Sequence, residues 1–159
     1  MLNPAEASSI YLDVREKGPV ELASSSFGQT NKVTPIEMIT AYSAVINGGY
    51  LVTPYVVDKV VDGSGNVVST HQTEVKRQVI SEDTSAKMRE ALEAVVNNNG
   101  GSNAYIKGYH IGGKSGTSQK LDLYNDENMR YVASYCCFAP ADDPEIVLIV
   151  IADEPMSGD

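Results

Sequence analysis

The feature that most constrains the fold is the apolar run EIVLIVIA, Glu145 to Ala152. After its first residue the run is apolar at every position, which is typical of a strand buried on both faces in the middle of a sheet. A preceding strand is predicted from Tyr131 to Phe138, and the short segment FAPADDPE joins the two. Because so short a connection suits only antiparallel neighbours, the sequence predicts an antiparallel sheet in this region.

A helix is predicted over residues 35–47, in the segment TPIEMITAYSAVINGG. Thr34 is a suitable N-cap, and Glu37, three residues later, completes a capping box. Pro35 is favoured in the first turn because its missing N–H has no partner there. Gly48 provides the residue type that most often ends a helix.

A second helix is predicted over residues 82–97, with Ser81 as its N-cap. A β-hairpin is expected where two β-branched runs flank the turn Asp62–Asn66. A third strand near the C-terminal end is predicted from His110 to Gln119, whereas ASSSFGQT, residues 23–30, is predicted to be a loop. The predicted fold class is therefore α+β, with three C-terminal strands in an antiparallel sheet, packed helices and a hairpin.

Composition limits the function classes. A chain of 159 residues suits a single domain, and its formal net charge of −9 argues against nucleic acid as a partner. The sequence has neither an apolar stretch of 18 residues nor a signal-peptide core. Cys136 and Cys137 are adjacent, and neighbours on a strand point to opposite faces, so no disulfide between them is expected. No metal site and no cofactor are predicted.

The segment from Gly108 to Ser115 satisfies the pattern G-x-x-x-x-G-K-[ST] of phosphate-binding loops, and Asp153 could act as the magnesium-binding acid. Such a loop needs a buried strand before it and a helix beginning within it. The preceding GGSNAYIK is not a buried strand, and Gly116 followed by TSQKLDLYND is a poor helix start. A nucleotide hydrolase is therefore the least favoured reading, with Asp153 predicted to be a strand-end residue.

The tetrapeptide Lys114-Ser115-Gly116-Thr117 resembles the Lys-[Thr/Ser]-Gly strand of penicillin-binding proteins and serine β-lactamases. Three more stretches resemble class B penicillin-binding proteins in the same order: SFGQTNKVTPIEMITAYSAVINGGYLVTPYVV, NNGGSNAYIKGYHIGGKSGTSQ and YVASYCCFAPADDPEIVLIVIADEP. The resemblance covers roughly residues 20 to 155 and implies part of the transpeptidase fold of that family.

The resemblance implies an activity and a set of roles. Members of the family are peptidoglycan D,D-transpeptidases that acylate a serine with a peptide ending in D-Ala-D-Ala. Lys114 would supply positive charge beside the catalytic serines, and the backbone N–H of Thr117 would form half of an oxyanion hole. Ser115 and Thr117 would hydrogen-bond the substrate carboxylate. Gly116 would let the substrate backbone lie close, and Gln119 would line the same groove.

Two motifs of the family are missing from the chain. Its chemistry also needs Ser-x-x-Lys and Ser-x-Asn, but Ser-x-x-Lys does not occur in the 159 residues. Threonine replaces serine in three segments, 73–76, 84–87 and 117–120, and Ser64-Gly65-Asn66 occupies a predicted turn. The expectation is one N-terminally truncated transpeptidase domain over residues 1–159, inactive on its own.

The resemblance also implies partners and a location. A peptidoglycan stem peptide or a β-lactam would bind the complete domain, and the parent protein would be anchored on the outer face of the bacterial cytoplasmic membrane. In the truncated chain, the apolar strand 145–152 would form an exposed edge through which chains self-associate. The alternative function is a non-catalytic module that binds peptides or partners through the Lys-Ser-Gly strand.

Overall fold

The computed structural model describes residues 15, 18–28, 31–98, 103–120 and 130–156. In chain order, the elements within these ranges are α1 (Pro19–Ser26), α2 (Pro35–Ile46), β1 (Tyr50–Val52), β2 (Lys59–Val61), β3 (Val67–Thr70), β4 (Val75–Gln78), α3 (Glu82–Asn98), β5 (Gly112–Gln119), β6 (Tyr131–Ala139) and β7 (Ile146–Asp153). The strands pair as β1–β4, β2–β3 and β5–β6–β7, all antiparallel. The predicted α+β class is confirmed. No helix among the described residues is long and apolar enough to span a bilayer.

Helix α2 begins at a complete capping box. The Thr34 hydroxyl accepts a hydrogen bond from the backbone N–H of Glu37, and the Glu37 carboxylate accepts one from the backbone N–H of Thr34 at 3.0 Å. The helix ends at Ile46, followed by Gly48 with a φ of 92°, a left-handed conformation that glycine adopts without strain. The helix predicted over 35–47 is therefore confirmed to within one residue.

A buried hydroxyl connects α3 to the end of α2. Ser85 is fully buried, and its Oγ donates to the Val45 carbonyl at 2.6 Å while accepting from the Gly48 N–H at 3.0 Å. The first turn of α3 is capped as predicted, because Ser81 Oγ accepts from the Thr84 N–H at 3.1 Å. Ser85 thus satisfies one carbonyl in the last turn of α2 and one N–H in the segment that follows it.

The core lies where α2 and α3 pack on one face of the β5–β6–β7 sheet. Phe138 of β6 is 2% exposed and contacts Ile46 of α2, Leu92 of α3 and Ala141. Val147 of β7 packs against the edge of this cluster. The helices therefore cover the face of the sheet to which Phe138 points, which fixes the orientation of every side chain along β5.

The bounds of the other predicted strands agree with the structure to within two residues, and one pair of strands was not predicted. Strand β5 begins at Gly112 rather than His110, β6 extends one residue further than predicted, and β7 is shifted by one residue. The hairpin β2–β3 is confirmed, with Asp62 Oδ1 accepting from the N–H groups of Ser64 and Asn66. The short pair β1–β4 had no predicted counterpart.

The loop predicted for residues 23–30 is wrong over Ala23–Ser26, which form the second half of α1. Pro19 at the start and Glu21 in the first turn are favourable helix-start residues, and they outweigh the serine-rich composition that suggested a loop. Gln29 and Thr30, the last two residues of that predicted loop, lie outside the described residues.

Strand β7 does not have the two buried faces that its sequence suggested. Ile146, Leu148 and Val150 are 67%, 52% and 56% exposed, whereas Val147 and Ile149 are partly buried on the helix side. Among the described residues, β7 pairs with β6 alone. The prediction of a strand for the apolar run is confirmed, but the described parts of the chain cover only one of its faces.

The buried hydroxyl gives a prediction about stability. Replacing Ser85 with alanine should lower the free energy of unfolding by about 1–3 kcal/mol, because the Gly48 N–H and the Val45 carbonyl lose a buried partner. Urea denaturation of the chain measures this. Ser69→Ala, at an exposed position of β3, is the control and should change stability little. Equal effects from the two variants would contradict this role of Ser85.

Self-association through β7 stays a prediction. We expect the chain to form dimers or larger species, because the second edge of β7 is apolar and has no paired strand in the part of the chain that the structure describes. Leu148→Lys should shift light scattering in size-exclusion chromatography towards the monomer, because a charged side chain disfavours pairing at that edge. Val60→Lys, at a 47% exposed position of the hairpin, is the matched control. A monodisperse wild-type monomer that melts cooperatively would show the expectation to be wrong.

Candidate active site

Strand β5 is an edge strand that carries all the predicted site residues. Among the described residues its only hydrogen-bonded neighbour is β6, and Lys114 to Gln119 are exposed. The register pairs Lys114 with Cys136 and Thr117 with Ala133. Because side chains alternate along a strand, Ser115, Thr117 and Gln119 share the face away from the helices. The two hydroxyls and the amide are therefore brought together on one surface.

The register also determines where the backbone groups of β5 point. The Lys120 N–H donates to the Arg130 carbonyl at 2.9 Å, which extends the β5–β6 ladder by one hydrogen-bonded pair. In an antiparallel pair only alternate residues exchange such bonds. The N–H and C=O groups of Ser115, Thr117 and Gln119 consequently point away from β6. Strand β5 thus offers a row of donors and acceptors along its open edge, the geometry to which an extended peptide can add as a strand.

The ammonium group of Lys114 reaches this open edge although its Cβ lies on the opposite face from Ser115. Its Nζ donates to the Ser115 carbonyl at 2.8 Å and lies 3.4 Å from Ser115 Oγ. The flexible four-carbon stem of lysine allows this change of side. A positive charge and a hydroxyl therefore lie side by side next to outward-pointing backbone groups, a combination suited to a carboxylate ligand.

The groups behind Lys114 are neutral. Cys136 lies directly opposite Lys114, and burial raises its pKa to about 11. Burial also raises the pKa of Tyr42, whose hydroxyl donates to the Cys136 carbonyl at 3.4 Å. Both groups therefore stay protonated near neutral pH. Within the described part of the chain, Lys114 has no carboxylate partner, so its charge is available to a ligand.

Two glycines of β5 leave room for side chains of β6. A Cβ added at Gly112 would lie 2.3 Å from Cζ of the buried Phe138 ring, and one added at Gly116 would lie 2.8 Å from Ser134 Oγ. The Ser134 hydroxyl donates to the Gly116 carbonyl at 3.2 Å. The close contact with Ser134 therefore favours a glycine at position 116. The expectation that it lets a substrate backbone lie close remains a prediction.

The phosphate-loop reading is wrong. Gly113, Lys114 and Ser115 lie inside the regular strand β5, and among the described residues no helix starts after them. A strand cannot converge its N–H groups on one phosphate as a loop entering a helix does. Asp153 Oδ1 contacts Lys120 Nζ at 2.6 Å rather than Lys114, so the expected strand-end position of Asp153 is confirmed.

Two of the three Thr-x-x-Lys segments, 84–87 and 117–120, do not substitute for the missing nucleophile. On α3, Thr84 Oγ1 hydrogen-bonds Ser81 Oγ at 2.8 Å, while Lys87 Nζ pairs with Asp83 at 2.7 Å. Lys120 is likewise engaged by Asp153. A serine or threonine nucleophile needs a base within hydrogen-bond reach, and neither of these two lysines provides it. Ser64 belongs to the hairpin turn, as predicted.

The sequence interpretation missed two features that adjoin the site. One is Ser134, which faces Gly116 across the sheet, and nothing local in the sequence signals that contact. The other is a group of ion pairs around Lys120, formed with Asp153 and Glu154. The opposite charges at the ends of consecutive predicted strands were the available signal for this second feature.

Comparison with known proteins identifies the family of the chain. The family described as "Penicillin binding protein transpeptidase domain" matches residues 2–159. Stage V sporulation protein D of Bacillus subtilis is 42% identical over 151 residues, covering 94% of this chain and 23% of that protein. A peptidoglycan D,D-transpeptidase FtsI homolog of Mesostigma viride is 32% identical over 149 residues, covering 86% of the chain and 25% of the relative. The chain thus spans about a quarter of the length of these relatives.

Solved structures give the same result. Penicillin-binding protein 3 of Mycobacterium tuberculosis, complexed with aztreonam, has a TM-score of 0.84 at 25% identity and covers 96% of this chain, which covers 36% of it. The transpeptidase domain of Burkholderia pseudomallei penicillin-binding protein 3 has a TM-score of 0.77 at 29% identity, with coverages of 96% and 44%. The chain belongs to the penicillin-binding protein transpeptidase domain family.

The glycines give a prediction about the stability of the site. Gly112→Ala should lower the free energy of unfolding by about 1–3 kcal/mol, because the new Cβ overlaps a ring held in the core. Gly116→Ala should have a clearly smaller effect, since its nearest neighbour is a hydroxyl that can rotate away. Chemical denaturation of both variants tests the order. A larger loss at Gly116 would contradict the conclusion that the Phe138 ring makes the tighter contact with β5.

Proposed function

We propose that this chain is the C-terminal part of a peptidoglycan D,D-transpeptidase domain of the class B penicillin-binding proteins, and that it carries the substrate-docking strand. The open edge of β5 is the observation that carries the proposal. There the Thr117 N–H points outward, three residues along the strand from the Lys114 ammonium and its neighbour Ser115 Oγ. Membership of the family supports the proposal, as do neighbours complexed with aztreonam and ampicillin.

In this proposal the substrate peptide adds to β5 as an extended strand. Its backbone exchanges hydrogen bonds with the outward groups of Ser115 and Thr117, and its terminal carboxylate is held by the two hydroxyls and Lys114. The local cation matters because the chain carries a formal net charge of −9, which would otherwise repel an anionic ligand. A β-lactam would present its own acid to the same groups. Gln119 would line the groove beyond the carboxylate site.

The proposed reaction is acyl transfer. A serine oxygen attacks the carbonyl carbon of the penultimate D-Ala, the bond to the terminal D-Ala nitrogen breaks, and that residue leaves with a proton. The Thr117 N–H would donate to the oxyanion that forms, a group whose charge exists mainly in the transition state. Lys114 would stabilise the developing negative charge near the serines. An amine of a neighbouring peptidoglycan strand then attacks the acyl carbon. The serine leaves with a proton, and the cross-link is complete.

The nucleophile would come from a preceding part of the same domain. The 159 residues contain no Ser-x-x-Lys, and the relatives are about four times as long as the segment they share with this chain. We propose that the full-length parent protein supplies this motif and Ser-x-Asn, and that it is anchored on the outer face of the cytoplasmic membrane. On its own the chain would bind through β5 without catalysing acyl transfer.

A second candidate is a module that only binds peptides. The same open edge of β5 favours it, because strand addition requires no nucleophile. The sequence upstream of Met1 in the genome distinguishes the two candidates. An in-frame Ser-x-x-Lys and Ser-x-Asn would support the transpeptidase, whereas their absence would favour the binding module.

The isolated chain should form no covalent adduct with benzylpenicillin, because it lacks the serine–lysine pair that attacks the lactam. Intact-mass spectrometry after incubation should show the unmodified mass. The transpeptidase domain of a penicillin-binding protein that contains Ser-x-x-Lys is the positive control. A stoichiometric mass increase located on one serine or threonine would contradict the proposal.

In the full-length parent, Lys114→Ala should reduce the rate of acylation by a fluorescent penicillin by about 10- to 100-fold, through the loss of a charge-assisted contact. Lys107→Ala is the matched control, because Lys107 is an exposed lysine outside β5 with no ion pair among the described residues. The control should be acylated at the wild-type rate. Equal losses in both variants would mean that Lys114 is not part of the site.

A further inference from the structure

A network of ion pairs joins all three strands at one end of the β5–β6–β7 sheet. Lys120 Nζ contacts Asp153 Oδ1 at 2.6 Å and Glu154 Oε1 at 2.8 Å, and Arg130 Nη1 contacts the same Glu154 oxygen at 3.1 Å. Lys120 directly follows β5, Arg130 directly precedes β6, and Asp153 is the last residue of β7. We refer to these four residues as the strand-end network.

The network is built on the last hydrogen-bonded backbone pairs of the sheet. The Lys120 N–H donates to the Arg130 carbonyl at 2.9 Å, and the Glu154 N–H donates to the Tyr131 carbonyl at 2.9 Å. The Lys120 side chain is only 22% exposed, less than any of its partners. Its hydrogen bonds to Asp153 and Glu154 raise the pKa of Lys120, and the bond to Lys120 lowers the pKa of Glu154. Both shifts favour the charged forms of Lys120 and Glu154.

A single exposed ion pair contributes little, because solvent screens it and two flexible side chains must be ordered. The strand-end network differs in that one ammonium is shared by two carboxylates and connects separate strands. Strand β5 needs such a connection, since an edge strand is held from one side only and tends to fray at its end. By contrast, Lys87 and Asp83 pair at 2.7 Å within one helix and connect no separate elements.

The network lies immediately beside the docking edge. Lys120 follows Gln119 directly and lies three residues, or about 10 Å along a strand, beyond Thr117. We infer that Lys120, held by Asp153 and Glu154, is a positioning residue that fixes the end of β5 and so aims the Thr117 N–H at the reacting carbonyl. This inference rests on the proposed transpeptidase function. Lys120 would not touch substrate, because its ammonium is already paired with two carboxylates.

Acylation kinetics of the full-length parent with a fluorescent penicillin test the inference, with non-covalent binding and the first-order acylation step measured separately. Lys120→Met keeps the length of the side chain and removes its charge. We expect it to slow the acylation step by about 10-fold while changing non-covalent binding little, because a misplaced oxyanion donor affects the transition state most. Lys120→Arg should restore most of the rate. Lys87→Met, which removes the pair within α3, should behave as wild type.

Amide hydrogen exchange of the 159-residue chain provides a readout that needs no acylation. Lys120→Met should accelerate exchange at the Ser118 N–H, which belongs to the β5–β6 ladder, and leave amides in the middle of α3 unchanged. Unchanged exchange at Ser118, or an acylation step as fast as in Lys87→Met, would overturn the inference. If the wild-type parent is not acylated at all, the proposed function fails, and the exchange data then test the role of Lys120 in holding β5 independently.

Discussion

The antiparallel pairing of β5 with β6 is the interaction on which the site depends. Its register turns the Thr117 N–H and the Ser115 carbonyl outward and pairs Lys114 with Cys136. A slip of one residue would reverse both the direction of these backbone groups and the faces of the side chains. The register is held by a packing contact, since Gly112 lies against the ring of Phe138, and that ring is fixed in the core. The geometry of an exposed edge is thus determined by a buried aromatic residue.

The two edges of this sheet have different chemistry. Along β5 the exposed positions from Lys114 to Gln119 are polar apart from Gly116, whereas β7 exposes Ile146, Leu148 and Val150. A polar edge stays hydrated until a peptide with matching hydrogen-bond groups arrives, whereas leaving an apolar edge in water costs free energy. Within the described residues, both edges lack a second neighbouring strand. The polar edge suits reversible docking, and the apolar edge suits permanent burial.

Local signals made much of this fold predictable. Helices α2 and α3 begin at capping residues that are adjacent in sequence to the helices they cap. The site residues Lys114 to Thr117 are also consecutive. Both features can therefore be recognised from short stretches of sequence. Features that depend on distant residues were missed or misjudged. The short β1–β4 pair depends on a contact between Tyr50 and Gln78, and the burial of β7 depends on which elements cover it. The Lys114 side chain bends around the edge of β5 to bring its ammonium to Ser115. The spacing of residues in the sequence does not predict this conformation.

The segment KSGTSQK contains two lysines six residues apart, and their surroundings give them different roles. Lys120 is engaged by two carboxylates, whereas the hydrogen bonds of Lys114 within the described ranges go to oxygens of Ser115, with neutral groups behind it. A lysine whose charge is already neutralised by carboxylates offers little to an anionic ligand. In a chain with a formal net charge of −9, a lysine without such a partner has to be kept apart from the surrounding acids. The sheet achieves this separation because Asp153 and Glu154 lie beside Lys120, at the C-terminal end of β5. Lys120 pairs with both carboxylates, and the charge of Lys114 remains available.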